Sequence, residues 1–161
     1  MIAKLAEHGD SQVFAFPKPQ LGKDSLEFSF SGLKTAVLRA AQKTAGRDFR
    51  TPSHELAALL TNQQRYDIAA SFQRTMVNIL AGRVRAAYER YSPASIIVAG
   101  GVAANQALRV ELASSVPIPI LYPPLELCTD NAAMIASLGY FRRHWANKPP
   151  TVLPPNPILS M

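Results

Sequence analysis

SIIVAGGVAANQALRVEL, residues Ser95–Leu112, decides the reading of the fold. The apolar run Ile96-Ile97-Val98-Ala99 ends in Gly100-Gly101, and helical spacing begins within a few residues. A short apolar run closed by glycine reads as a buried strand. Leu108 and Leu112 then read as the inner face of a helix starting near Ala103. A sharp strand-to-helix turn needs one glycine. Two glycines suit a turn whose backbone is approached by something else, because neither puts a Cβ in the way. The helix start exposes free N–H groups and the positive end of the helix dipole. Asn105, in the first helical turn, offers a donor and an acceptor suited to ribose hydroxyls or a base edge. The plainer alternative is a tight turn with a solvated asparagine, and spacing alone leaves both open.

The same theme recurs downstream. Ile118-Pro119-Ile120-Leu121-Tyr122 reads as a second short strand, with Pro119 marking an edge or an irregularity. The loop Pro123 to Thr129 leads into a helix from about Asn131 to Trp145, with Met134, Leu138, Phe141 and Trp145 on one face. Upstream, Ile68, Phe72, Met76, Leu80, Val84, Tyr88 and Tyr91 step by three or four residues. That is the core stripe of a long helix. Gly82 inside it suggests close packing. Leu26 to Ser31 alternates apolar and polar, the period of a half-buried strand, until Gly32 breaks it. Leu33 to Thr44 takes helical spacing, and Ser53 is positioned to cap a short helix after a loop. Ile2 to Gly9 reads as the end of a helix stopped by Gly9. Strands alternating with helices predict an α/β layer with a mainly parallel sheet, whose ligands sit at the carboxyl ends of the strands.

The chain has 161 residues, 48% hydrophobic, a globular composition with enough length for one ordinary domain. The net charge of +6 suits an acidic partner such as nucleic acid, or simply a solvated basic face. One cysteine, Cys128, excludes an internal disulfide framework and multi-cysteine metal sites. No stretch approaches the roughly 18 apolar residues of a membrane span, and the N-terminus does not read as a signal peptide. A cytosolic protein is the expectation.

Two further turns lie between a strand and a helix. In Cys128-Thr129-Asp130-Asn131, Thr129 or Asp130 reads as a helix cap, or Asp130 as a hard oxygen ligand for a cation. His8, His54 and His144 form no pair one helical turn apart, and Cys128 has no evident base beside it. In Ser29-Phe30-Ser31-Gly32-Leu33-Lys34 the hydroxyls and the lysine suit a phosphate but lack P-loop spacing. Ser31 as a cap and Lys34 as a solvated charge fit better.

FSFSGLKTAV, VAGGVAANQALR and CTDNAAMIA, in this order, resemble the universal tRNA threonylcarbamoyltransferase family, also called the glycoprotease or O-sialoglycoprotein endopeptidase family. The resemblance runs from about Ile2 to Trp145. It implies an α/β fold that is part of the actin-like, sugar-kinase and Hsp70-type (ASKHA) two-lobed architecture, mainly the C-terminal lobe. It implies transfer of threonylcarbamoyl from threonylcarbamoyl-adenylate to N6 of the adenosine 3′ of the anticodon, in tRNAs reading codons that begin with A. Asn105 would contact the nucleotide, Gly100 and Gly101 would floor the adenosine site, and Asp130 would ligate one divalent metal ion, iron or zinc. Partners would be tRNA and accessory proteins of threonylcarbamoyl-adenosine synthesis.

The family pattern also holds features this chain lacks. An earlier portion carries two histidines one helical turn apart that complete the metal site, with further substrate contacts. The resemblance therefore implies a C-terminal portion, residues 1–148, followed by a proline-rich tail over residues 149–161. It needs the N-terminal half as partner, and the chain alone would be inactive. No catalytic residue is assigned within it. The competing expectations are a non-catalytic nucleotide-binding or assembly module and a related kinase of the same fold. The old peptidase name finds no support, since neither a nucleophile–base pair nor a complete zinc motif is present.

Overall fold

Residues 2–19 and 25–145 are described by a computed structural model of the chain. The proline-rich tail and the side chain of Trp145 lie outside the described residues. Among the described residues, six α-helices and two strands follow in order: α1 (Ile2–Ala6), α2 (Ser31–Thr44), α3 (Ser53–Leu59), α4 (Asn62–Tyr91), β1 (Ile96–Ile97), α5 (Gln106–Ser115), β2 (Ile120–Leu121) and α6 (Ala132–Phe141). Short 3-10 turns cover Gly101–Ala104, Leu125–Leu127 and Arg143–Trp145.

The spine is α4. It opens on a capping box: Thr61 Oγ1 accepts the Gln64 N–H at 3.2 Å, and Gln64 Oε1 accepts the Thr61 N–H at 2.9 Å. It closes at Ser92, which turns left-handed at φ 44°. Ile68, Ala69, Ala70 and Ser71 are buried in succession, so this part of the helix is enclosed on all sides. Ala6 packs on Ala69 and Ala70; Ala41 and Leu56 pack on Ile68; Leu108 and Leu112 pack on Val77 and Ala81. Three small apolar clusters thus share one helix.

The expected core stripe is displaced. Phe72, Met76, Leu80, Val84 and Tyr88 are half-buried and Tyr91 is exposed, whereas Ser71, Thr75 and Ala81 are buried. Small residues let neighbouring backbones come close, so they lie deepest despite modest hydrophobicity. Gly82 is exposed and a Cβ there would meet open space, so it marks no close packing.

Gly9 does mark one. A Cβ on it would stand 2.1 Å from the carbonyl oxygen of Tyr66 in α4. The glycine follows α1, but its need for a bare backbone comes from α4 and not from a left-handed cap. The strap beyond it lies along α4: Asp10 N–H donates to Asp67 Oδ1 at 2.8 Å, and Phe14 N–H to Ser71 Oγ at 3.2 Å.

The sheet is a parallel pair, with Ile96 beside Ile120 and Ile97 beside Leu121, joined through α5. The expected unit of strand, glycine turn, helix and strand is present, but both strands are short. Val98 and Ile120 pack towards α4 and α5. The opposite face is bare: Ile97 is 72% exposed and Leu121 51%.

Several expectations change. Residues 25–30 form no strand among the described residues; they run irregularly into α2, with Phe28 stacked on Phe30 at 6.1 Å. Alternation alone does not make a strand where none pairs with it. Gly32 and Ser31 lie inside α2, and Phe30 holds the cap position without a side-chain bond. Ser53 is helical, and Pro52 precedes it at the cap. The last helix is capped by Asn131, whose Oδ1 accepts the Met134 N–H at 3.0 Å; neither Thr129 nor Asp130 caps it. The face expected to be core is exposed: α6 has no buried residue, and Phe141 is 70% exposed. No element among the described residues buries it.

Candidate functional site

After β1 the chain turns at Gly100, with φ 87° and ψ 171°. An L side chain rarely adopts that backbone, so glycine is required there by conformation. Gly101 has no such constraint, and a Cβ there would meet open space. Its bareness leaves room beside the turn. The 3-10 turn Gly101–Ala104 then delivers Asn105 to the cap of α5. Asn105 is therefore the cap itself and not a residue of the first α-helical turn, because the intervening 3-10 turn delays the start of α5.

Both ends of the Asn105 amide are engaged. Oδ1 accepts the Leu108 N–H at 3.0 Å, and Nδ2 donates to Gln73 Oε1 of α4 at 2.9 Å. A primary amide has two donors and two acceptor sites, so one of each remains for a ligand. Gln73 keeps its own Nε2 hydrogens without an acceptor among the described residues.

These groups line a cavity of about 630 Å³ between the glycine turn, α4 and the start of α1. Gly101 and Asn105 form one side, and Phe72, Gln73, Met76 and Leu80 the other. A mostly apolar hollow with a few convergent amide groups is the usual make-up of a small-molecule pocket, and this volume falls in the usual range. The stripe assigned to the core is thus in part the wall of this cavity. Gln73 escaped the sequence reading. Its signal is a polar residue at a position whose third, fourth and seventh successors are Met76, Val77 and Leu80.

Not all expected site residues meet here. Gly100 and Asp130 are not among the lining residues. The parallel register puts the loops after β1 and β2 at the same end of the pair, and Asp130 lies in the second. It is exposed, beyond the buried Cys128, whose Sγ lies 3.7 Å from the Pro123 carbonyl oxygen. No three His, Cys, Asp or Glu side chains converge to hold a metal ion among the described residues. Asp130 offers one donor where metal sites take about three or more from protein. The described residues do not by themselves compose a metal centre.

The sequence signature of the tRNA N6-adenosine threonylcarbamoyltransferase family, TsaD, matches residues 1–137. The chain belongs to this family. Proteins named tRNA N6-adenosine threonylcarbamoyltransferase are similar to it in sequence. The one from Gloeobacter violaceus is 45% identical over 141 residues, covering 88% of this chain and 37% of the relative. That from Thermosipho africanus is 45% identical, covering 86% and 39%. That from Moorella thermoacetica is 38% identical, covering 98% and 44%. The chain spans about two-fifths of the length of these TsaD relatives. No helix among the described residues is long and apolar enough to cross a membrane.

Proposed function

We propose that this chain supplies the adenosine-facing C-terminal part of a tRNA N6-adenosine threonylcarbamoyltransferase, mainly the C-terminal lobe of an actin-like two-lobed fold. The activity is transfer of threonylcarbamoyl from its adenylate to N6 of the adenosine 3′ of the anticodon, in cytoplasmic tRNAs reading codons that begin with A. The cavity at the glycine turn carries the reading. Gly101 clears one side of it, and Asn105 and Gln73 bring amide donors and acceptors suited to a ribose or a purine edge. Gly100 fixes the turn that presents them. The apolar wall of Phe72, Met76 and Leu80 suits the face of a base and excludes water.

Asp130 is proposed as one donor to a divalent ion, iron or zinc, in a set completed by residues outside this chain. No step of the reaction is drawn through that ion. The sequence in the relatives that this chain does not match would supply the remaining donors and the second wall of the cleft. Accessory proteins that make the adenylate, and tRNA itself, are the partners.

The lining of the cavity by apolar and amide groups, with Asp130 outside it, favours a second reading, a nucleotide-binding or assembly module without chemistry of its own. One assay separates the two. Purified chain is mixed with unmodified tRNA and the adenylate-generating enzyme, with and without the separately expressed N-terminal segment of a relative. Modified adenosine is expected only in the complete mixture, and Asn105→Ala or Asp130→Ala is expected to abolish it. Activity that forms in the complete mixture but ignores both substitutions overturns the site. No activity in any mixture favours the binding module.

A further inference from the structure

Arg109, one turn into α5, touches both loops at the carboxyl ends of the strands. Its Nε donates to the carbonyl oxygen of Ala103, inside the turn after β1, at 2.6 Å. Its Cζ stands 4.4 Å from the ring centroid of Tyr122, the residue after β2. The first loop ends at Asn105 and the second at Asp130. Arg109 itself is not among the residues lining the cavity.

Among the described residues, no backbone hydrogen bond joins the two loops beyond the strand ladder. The ladder between the strands extends from Ile96 N–H to the Pro119 oxygen at 3.0 Å and reaches Val98 N–H to the Leu121 oxygen at 2.9 Å. Beyond it, the relative position of the two loops depends on side chains. A guanidinium suits this task, since its face stacks on a ring while its edge donates to a carbonyl in a fixed geometry; an ammonium has no planar face to stack and no fixed fork. Arg109 Nη2 and Tyr122 Oη are buried without a hydrogen-bond partner among the described residues. The ring face of Tyr122, and not its hydroxyl, therefore carries the contact.

We propose that Arg109 is a positioning residue, a strut that fixes the Gly100–Asn105 turn against the loop from Tyr122 to Asp130. It acts on the ligand through Asn105 without touching it. This rests on reading the glycine turn as an adenosine site.

The test uses the whole chain, with ATP as the probe in calorimetry and amide hydrogen exchange read by mass spectrometry. Arg109→Ala is expected to weaken ATP binding roughly tenfold, and the double variant with Asn105→Ala to bind no more weakly than Asn105→Ala alone. Exchange should quicken in residues 101–105 and 122–130 together while α4 keeps its protection. Tyr122→Phe should match the unaltered chain in both readouts, and Arg109→Lys should resemble Arg109→Ala. Loosening of one loop only, additive losses in the double variant, or Arg109→Lys behaving like the unaltered chain overturns the strut. ATP binding that is absent, or indifferent to Asn105→Ala, removes the adenosine reading instead. The paired exchange of the two loops then decides the strut on its own.

Discussion

Asn105 serves two masters with one amide: the Oδ1 caps α5 and the Nδ2 holds Gln73. Substitutions can separate them. Asn105→Ala loses both and should destabilise the chain by about 1 kcal/mol, the usual cost of a lost cap. Asn105→Asp keeps an acceptor for the Leu108 N–H, and its charge suits the helix dipole, so thermal stability should stay close to that of the unaltered chain. The Nδ2 donor is lost in both, so ATP binding should weaken in both. Thermal unfolding beside calorimetry checks the separation; an Asn105→Asp chain as unstable as Asn105→Ala would mean the cap matters little. The place of Asn105 at the start of a helix was legible because it closely follows Gly100-Gly101. Gln73 was not, because it is 32 residues away from Asn105 and nothing local marks the bond. Gly9 was legible as a break after a helix, but its reason, the Tyr66 carbonyl, is visible only in three dimensions.

Among the elements, α4 shows what periodicity reveals and what it hides. Its existence and its end follow from the apolar steps between Ile68 and Tyr91, whereas its start at Asn62, signalled by Thr61-x-x-Gln64, was missed. Its deepest side does not follow, since Ala69, Ala70, Ser71 and Ala81 owe their burial to neighbours and not to their own hydrophobicity. Thr61→Ala should remove one half of the capping box and cost about 1 kcal/mol in thermal or urea unfolding. Loss of helix at the start of α4 should accompany it in exchange measurements, while α5 is unaffected. At Leu26 to Ser31 the strand period was misleading, because pairing needs a partner that a local pattern cannot specify. At α6 the apolar face was read correctly as apolar and incorrectly as covered.

Across the described residues, apolar surface is left open at several places, among them the side of the sheet bearing Ile97 and Leu121, and α6 with Met134, Ile135 and Phe141. Parallel sheets are ordinarily covered on both faces. Sedimentation velocity should therefore show self-association that grows with concentration, and paired Ile135→Glu and Phe141→Glu substitutions should reduce it. A chain that stays monomeric at all concentrations would count against this. The net charge of +6 predicts weak tRNA binding that falls steeply with added salt, by counterion release. Filter binding across a salt series measures the slope, and a flat response would exclude a phosphate-driven contact. The strap after Gly9 has a consequence in time. Its bonds to Asp67 and Ser71 join residues 57 apart, and Ser71 Oγ also donates to the Asp10 carbonyl oxygen across 61 residues at 3.4 Å. Contacts of that span form late, because closing the intervening chain is costly before any contact is made. α4 closes its own turns locally and offers the surface on which the strap lands. The N-terminal strap therefore docks after the long helix it lands on, and should lift under a protease with that helix still intact beneath it.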